Sequence, residues 1–261
     1  MRDNPVKQAL KASQPVFGTM IFEFFTPGIC QIVKAAGADF ILFDMEHSGI
    51  GLDEIKAQMS ACRGIGLVPM VRVPTLQPHF IARCLDMGAL GIMVPMVETA
   101  AQARELVSAT RYPPAGRRGA AFGVAHDDYE GGDVTRKIAA ANERTLVIAL
   151  VETAEGLRNV EEIAAVDGVD VVWLGHFDLT NFMGIPAEFQ HPDYLAAVDR
   201  LVAAAHRHGK AAGVMAADVA WGRDYMAKGF RAVAYGLDLA LFQRTLADGI
   251  TALRPESRSS P

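Results

Sequence analysis

Short apolar runs alternate with longer helix-period segments along most of this chain, and this alternation restricts the possible folds more than any other feature. The runs are FGTMIF, FILFD, LVPMVRV, GIMVPMV, VIALVE, VVWLG, AAGVM and AVAYG. Runs of this length and composition are typical of parallel strands that are buried on both faces. Repeated strand–helix units with right-handed crossovers, within a chain of about 250 residues, predict a single α/β domain folded as a (β/α)8 TIM barrel. The absence of a G-x-G-x-x-G or P-loop pattern after any run disfavours a nucleotide-binding sheet.

One barrel domain is expected to span residues 1–261. Residues 1–14 are expected to be a flexible N-terminal leader, and residues 255–261 a flexible tail. The connection RYPPAGRRGAAFGVAHDDYEGG, between the fourth and fifth runs, is too long for an ordinary barrel loop. We expect it to cover the mouth of the barrel or to contact a neighbouring subunit.

The charge pattern excludes several classes of partner. A formal net charge of -5, without a long cluster of lysine and arginine, argues against a nucleic-acid groove. No apolar segment approaches the length of a transmembrane helix or a signal peptide, so no membrane contact and a cytoplasmic location are expected. The cysteines show no C-x-x-C spacing and suggest neither a disulfide framework nor a zinc site.

Two acidic residues follow consecutive strand-like runs. Glu152 comes directly after the fifth run, and Asp178 follows the sixth after a glycine-led turn. Because the carboxyl ends of parallel barrel strands share one mouth, these carboxylates predict a site for a hard divalent cation such as Mg²⁺ or Mn²⁺. The alternative is that both acids cap the helices that follow them. Glu98, after the fourth run, is a rival ligand that spacing does not exclude.

A histidine and an arginine occupy similar positions. His47 lies on a loop after the second run, where a side chain that titrates near neutral pH suits general acid–base catalysis, although it could simply be solvated. Arg72 lies in an apolar strand and therefore needs an anion. That anion is either a neighbouring acid, in a structural ion pair, or a substrate carboxylate or enolate oxygen.

The lysines argue against a Schiff-base aldolase, which needs a lysine at the carboxyl end of a strand. They lie in the leader, in helix-like segments or before strands: Lys7, Lys11, Lys34, Lys56, Lys137, Lys210 and Lys228. Polarisation of a carbonyl would therefore fall to a metal ion.

The segments FILFDMEHS, VPMVRVP, RYPPAGRRG, LVETAEGLRNVEEIAAVDGVD and LGHFDLTNFMGIP resemble the HpcH/HpaI aldolases, metal-dependent class II pyruvate aldolases of the citrate-lyase-like superfamily. The likeness extends over about residues 16–253. It implies reversible cleavage of 4-hydroxy-2-oxo acids to pyruvate or hydroxypyruvate and an aldehyde. Alternatives are a CoA-ester lyase or oxaloacetate decarboxylase that uses the same enolate, and a barrel that only binds keto acids.

The resemblance also implies roles for individual residues. Glu152 and Asp178 would hold Mg²⁺, Mn²⁺ or Co²⁺, which the keto acid chelates further. Arg72 would contact the keto oxygen, and His47 would act in proton transfer at the 4-hydroxyl, paired with Asp86 from the adjacent subunit. The expected substrate contacts are Arg72, Gly175, His176, Phe177, Asp178 and Val214.

The resemblance further implies a homo-hexamer whose C-terminal helices, about residues 237–253, are exchanged between neighbours. This chain departs from the family at one turn. The usual Gly-Pro-x-Asp-Leu-Ser is Gly175-His176-Phe177-Asp178-Leu179-Thr180 here. The bulky Phe177 is expected to reshape the keto-acid pocket, which leaves the choice between pyruvate and hydroxypyruvate open, together with the identity of the aldehyde and of the native metal.

Overall fold

The computed structural model describes residues 1–254, which form a closed barrel of eight parallel strands in chain order, with β8 paired to β1. The strands are β1 Val16–Ile21, β2 Phe40–Asp44, β3 Val68–Arg72, β4 Gly91–Val94, β5 Leu146–Val151, β6 Val171–Leu174, β7 Ala211–Ala216 and β8 Ala232–Leu237. The predicted (β/α)8 barrel is confirmed, and every predicted run overlaps one strand.

Helices surround the barrel. Within residues 1–254 they are α1 Pro5–Lys11, α2 Gly28–Ala35, α3 Leu52–Ala61, α4 Pro78–Met87, α5 Ala100–Thr110, α6 Val134–Arg144, α7 Ala154–Arg158, α8 Val160–Ala164, α9 His176–Phe182, α10 Pro192–Arg207, α11 Val219–Lys228 and α12 Asp238–Leu253. Among these residues, no helix has both the length and the apolar character needed to cross a bilayer.

The side chains of each strand alternate between two cores. One fills the barrel interior and includes Ile148 and Trp173, while the other lies between the strands and the helices and includes Val147 and Val172. Glycine makes room for the larger interior groups, because a Cβ at Gly213 would overlap the Trp173 ring. This two-residue period decides which side chains at the strand ends point into the mouth.

The N-terminal segment differs from the expected flexible leader. Residues 5–11 form helix α1, and both Val6 and Lys7 are buried. Asn4 caps α1 and donates hydrogen bonds to the carbonyls of Leu90 and Arg144, 2.9 Å each, at the amino-terminal end of the barrel. The segment thus contains a helix that packs against the barrel. The predicted tail, 255–261, lies outside the described residues.

The long connection between α5 and α6 lies at the amino-terminal end of the barrel and not over its mouth. Arg63 Nη2 donates to the Ala125 carbonyl at 3.2 Å, and Asp128 forms an ion pair with Arg2 at 3.0 Å. Contact with a neighbouring subunit, the other half of the expectation, stays a prediction.

A buried ion pair fastens this connection to α6. Lys137 Nζ lies 2.6 Å from Asp127 Oδ2, which also accepts the Gly123 amide at 2.8 Å. Burial alone would raise the pKa of Asp127, but the Lys137 hydrogen bond and the Gly123 amide outweigh it, and the pKa is lowered. Asp127 is therefore ionised although it is fully buried.

We expect Lys137→Met to destabilise the protein by about 3–5 kcal/mol, because it leaves the Asp127 charge buried and uncompensated. Urea unfolding at a fixed protein concentration measures the change. The control is Lys228→Met, which removes a surface pair with Asp224 and should cost no more than about 0.5 kcal/mol. Equal effects of the two substitutions would contradict this role for Lys137.

Helix α12 carries an exposed apolar face. Its large side chains Phe242, Leu246, Ile250 and Leu253 are 59%, 50%, 43% and 85% exposed. An exposed apolar face of this kind is expected for a helix that packs against a neighbouring subunit. The exchange of α12 between subunits remains a prediction.

Candidate active site

A cavity of about 160 Å³ opens at the carboxyl ends of the strands. It brings together most of the residues that the sequence singled out: His47, Arg72, Glu152, Gly175, His176, Phe177 and Asp178. In parallel barrels this end is where loops from several strands converge on reacting groups. The remaining wall is mainly apolar and includes Phe22, Trp173 and Met215.

Arg72 is the last residue of β3 and points into the barrel mouth beside Asp44, its partner in the β2–β3 register. Its Nε donates a hydrogen bond to Asp44, its Nη1 lies 3.1 Å from Glu46 Oε2, and its guanidinium carbon lies 5.4 Å from the centre of the Phe22 ring. The structural ion pair is thus observed, and contact with a substrate anion stays a prediction. Arg72 forms a structural ion pair, and it also lines the cavity, where it faces any bound anion.

Sequence reasoning did not assign Asp44 a role in the site. Asp44 is fully buried, and its carboxylate accepts hydrogen bonds from the amides of Glu46 at 3.2 Å and His47 at 2.8 Å. It therefore holds both Arg72 and the loop that carries His47. The alternation of β2 contained the signal, because Phe40, Leu42 and Asp44 fall on the same inward face.

His47 occupies that loop with its side chain 52% exposed. Its Nε2 lies 3.8 Å from Glu46 Oε2, and its ring centre lies 6.3 Å from that of Phe22. Since the loop backbone is held by Asp44 while the ring stays accessible, His47 can exchange protons with a molecule in the cavity and with solvent. Burial raises the pKa of the neighbouring Glu46 above its usual value.

Glu152 follows β5 and is 2% exposed. Its Oε1 accepts the Met96 amide at 2.8 Å, in a loop where Met96 has the unusual φ of 53°. Burial is the main cause that raises the pKa of Glu152 to about 7, and the charges of Glu46 and Asp178 add to it. A Cβ at position 175 would lie 2.5 Å from the Glu152 side chain, so Gly175 leaves the space this carboxylate occupies.

Asp178 lies in the first turn of α9, where it lines the same cavity and is partly exposed. Within the part of the chain that the structure describes, no group of three or more histidine, cysteine or acidic side chains is arranged to hold a metal ion. Glu152 and Asp178 line one cavity and would be a smaller donor set of two carboxylates. Burial and the charge of Asp178 both raise the pKa of Glu152, so its ionised form is disfavoured in this cavity. A divalent cation between the two carboxylates would offset their negative charge, so the residues fit such an ion.

His176, the first residue of α9, is buried among the rings of Phe177, Phe189 and Trp221, with ring centres 4.7, 5.4 and 4.9 Å away. Burial lowers its pKa to about 4, so the imidazole is neutral at pH 7. Its Nε2 is buried and has no hydrogen-bond partner among residues 1–254. Phe177 is 52% exposed at the rim. The altered turn therefore adds an aromatic wall to one side of the cavity.

Three of the expected residues lie elsewhere. Val214, an expected substrate contact, points away from the barrel axis into the outer core, and its neighbour Met215 lines the cavity in its place. Asp86, on α4, lies outside this cavity and forms an ion pair with Arg118 at 2.6 Å. Glu98 does not line the cavity either, since its loop is held by hydrogen bonds to Gln102 and Asn159.

Comparison with known proteins identifies relatives that cover nearly the whole chain. The family model for HpcH/HpaI aldolase/citrate lyase matches residues 20–245. A 5-keto-4-deoxy-D-glucarate aldolase from Klebsiella pneumoniae is 36% identical over 92% of this chain and 93% of its own, and a hydroxypyruvate/pyruvate aldolase from Roseobacter denitrificans is 37% identical over 93% and 94%. Among solved structures, an HpcH/HpaI aldolase from Desulfitobacterium hafniense superposes with a TM-score of 0.92 and 30% identity, covering 98% of both chains.

Proposed function

Because the chain belongs to the HpcH/HpaI aldolase/citrate lyase family, we propose that it is a divalent-metal-dependent pyruvate aldolase that reversibly cleaves 4-hydroxy-2-oxo acids to pyruvate or hydroxypyruvate and an aldehyde. The observation that carries the proposal is the convergence of Glu152, Asp178, Arg72 and His47 on one cavity at the mouth of the barrel. Relatives that are named for aldol chemistry on both keto acids support it.

In this proposal Glu152 and Asp178 hold Mg²⁺, Mn²⁺ or Co²⁺. Such an ion acts as a Lewis acid that polarises the 2-oxo group when it is bound. Two carboxylate ligands nearly neutralise a divalent cation. Arg72, which lines the same cavity, therefore supplies further positive charge for the reacting oxygen.

Arg72 binds the keto oxygen and stabilises the negative charge that develops there as the carbon–carbon bond breaks. Asp44 and Glu46 fix the guanidinium before substrate arrives, and preorganised charge of this kind has its largest effect in a site that excludes water. The apolar wall of Phe22, Trp173 and Met215 restricts water around these groups.

His47 takes the proton from the 4-hydroxyl in the cleavage direction, directly or through one water molecule, and returns it in the condensation direction. The exposed ring allows both exchanges. Gly175, His176 and Phe177 contact the substrate along the turn before Asp178. The neutral His176 adds no charge next to the carboxylate of the keto acid.

Residues from another subunit would complete the site. Asp86 lies outside the cavity of its own chain but keeps 32% of its side chain exposed, which suits a contact with His47 of a neighbour. The exposed apolar face of α12 would be covered by helix exchange in a homo-hexamer. The role of Asp86 in a neighbouring site and the helix exchange both follow from the resemblance to the HpcH/HpaI aldolases.

The residues that line the cavity give little support to the alternative of a CoA-ester lyase. Of the described residues that line the cavity, Arg72 is the only lysine or arginine, and a nucleotide 3′-phosphate and diphosphate would need more basic groups. Decarboxylation of oxaloacetate uses the same enolate and needs no added residue, so it is expected as a side activity.

A panel of aldehydes incubated with pyruvate or hydroxypyruvate tests the proposal. We expect carbon–carbon bond formation with several short polar aldehydes in the presence of Mg²⁺, Mn²⁺ or Co²⁺, measured by chromatography of the 4-hydroxy-2-oxo acid products. The relative rates of product formation with pyruvate and with hydroxypyruvate show which keto acid the enzyme prefers. Cleavage of CoA thioesters at rates above aldol cleavage would replace the proposal with the alternative.

A further inference from the structure

A second cavity, of about 370 Å³, lies at the opposite end of the barrel from the mouth. It is bounded by α1, by the residue after α5, and by the segments that lead into β5, β6 and β7. Leu146 and Ala211, which line it, are the first residues of their strands. Because the catalytic groups lie at the carboxyl ends of the same strands, this cavity is separate from the site described above.

Positive charge dominates the wall of this amino-terminal cavity. Its basic residues are Lys7, Lys11, Arg111 and Lys210, and its acidic residues are Glu143 and Asp170. These side chains come from separate parts of the sequence, so no single segment shows the cluster. With all groups in their usual ionised forms, the wall carries two more positive charges than negative ones.

Both acids already have lysine partners. Lys7 Nζ lies 3.0 Å from Asp170 Oδ2 and donates to the Thr145 carbonyl at 2.8 Å, and Lys11 forms an ion pair with Glu143. Asp170 Oδ2 also accepts the Val147 amide at 2.8 Å. Arg111 and Lys210 take part in none of the ion pairs formed among residues 1–254.

Arg111 is the unusual member of this set. Only 7% of its surface is exposed, and its Nη1 is buried without a hydrogen-bond partner among the described residues. A buried guanidinium is unfavourable unless anionic or polar acceptors surround it. Burial lowers the pKa of Arg111 and of Lys7, and the charge of Asp170 opposes that effect at both.

We propose that the amino-terminal cavity binds a phosphate dianion, either free phosphate or the phosphate group of a small metabolite. The excess of two positive charges matches the charge of a phosphate group near neutral pH. Arg111 and Lys210 supply charge-assisted donors that form no ion pair among residues 1–254, and Lys7 and Lys11 extend the basic wall. The volume admits a phosphate with a small organic group attached.

A bound phosphate would connect elements that are far apart in the sequence. Lys7 and Lys11 belong to α1, Arg111 follows α5, and Lys210 precedes β7. An anion shared by these residues would fasten α1 to the barrel. Binding should therefore raise the thermal midpoint of the whole domain, because a ligand that prefers the folded state stabilises it.

Titration calorimetry and thermal unfolding of the metal-loaded enzyme test the proposal. The probes are inorganic phosphate and glycerol 3-phosphate, each compared with chloride at equal ionic strength so that general screening is removed. We expect one site per chain and a higher thermal midpoint. Tighter binding of glycerol 3-phosphate would identify a phosphorylated metabolite as the ligand class, and equal or weaker binding would identify free phosphate.

Substitutions in the wall of the amino-terminal cavity test where the anion binds. Lys210→Gln should weaken phosphate binding about tenfold through loss of a charged contact, and Arg111→Gln should abolish it. Arg117→Gln is the matched control, since Arg117 is exposed and does not line this cavity. If Arg111→Gln does not fold, Lys210→Gln decides. Unchanged affinity in Lys210→Gln, which would locate the anion elsewhere, or no binding by the unaltered protein would overturn the proposal.

Discussion

Glu152→Gln is expected to lower kcat/KM for aldol cleavage by about a thousandfold or more, because the substitution would remove the charged oxygen ligand that the proposal assigns to the metal. The amide keeps the size of the side chain, and it can still accept the Met96 hydrogen bond. Asp178→Asn should have an effect of the same order. Release of pyruvate from a 4-hydroxy-2-oxo acid, followed by continuous assay, measures both.

The chain contains a matched control for this experiment. Glu98 follows β4 as Glu152 follows β5, but it lies outside the cavity, so Glu98→Gln should leave kcat/KM within about twofold. The metal-free Glu152→Gln protein should unfold at no lower temperature than the metal-free parent, because an ionised Glu152 is disfavoured by burial and by nearby carboxylates. Activity of Glu152→Gln equal to that of Glu98→Gln would remove Glu152 from the site.

Arg72→Lys is expected to reduce kcat/KM by about 10²–10³-fold while the fold is retained. Lysine keeps the charge, but a single ammonium cannot contact Asp44 and Glu46 together and still face the substrate as the planar guanidinium does. The loss should appear mainly in kcat, since the interaction strengthens as negative charge develops on the keto oxygen.

A second substitution tests the contribution of Arg72 to stability. Arg72→Met leaves the buried Asp44 without its cation and should destabilise the protein by about 3–5 kcal/mol, in addition to its effect on activity. The surface substitution Arg207→Lys, in an exposed pair with Glu161, should change neither quantity measurably. Normal kcat in a folded Arg72→Lys protein would contradict the role given to the guanidinium.

Much of the fold is visible in the sequence because buried parallel strands need continuous apolar runs, and each of the eight runs overlaps a strand. Helices α1 and α6 were less visible. Helix α1 has only seven residues and α6 is mostly polar, and the formation of α1 depends on tertiary partners such as the Asn4 hydrogen bonds at the amino-terminal end of the barrel. The position of the α5–α6 connection could not be predicted either, because its ion pairs join residues far apart in sequence.

The candidate site was likewise only partly predictable from the sequence. The position of an acid directly after a strand predicted that Glu152 lies at the mouth, and the glycine-led turn did the same for Asp178. The place of Val214 depended on register, and an error of one residue moves a side chain from one face of a strand to the other. The charged residues around Arg111 come from five separate segments, so the cluster became visible only in three dimensions.

Exchange of the pyruvate methyl protons with deuterated water, followed by NMR with and without metal, tests the central claim most directly, because enolate formation alone produces the exchange and no aldehyde needs to be known. The account predicts that metal-stripped protein gives no exchange above background, that added Mg²⁺, Mn²⁺ or Co²⁺ restores it, and that Glu152→Gln stays inactive at the same metal concentration. Full exchange by the metal-stripped protein would contradict the account.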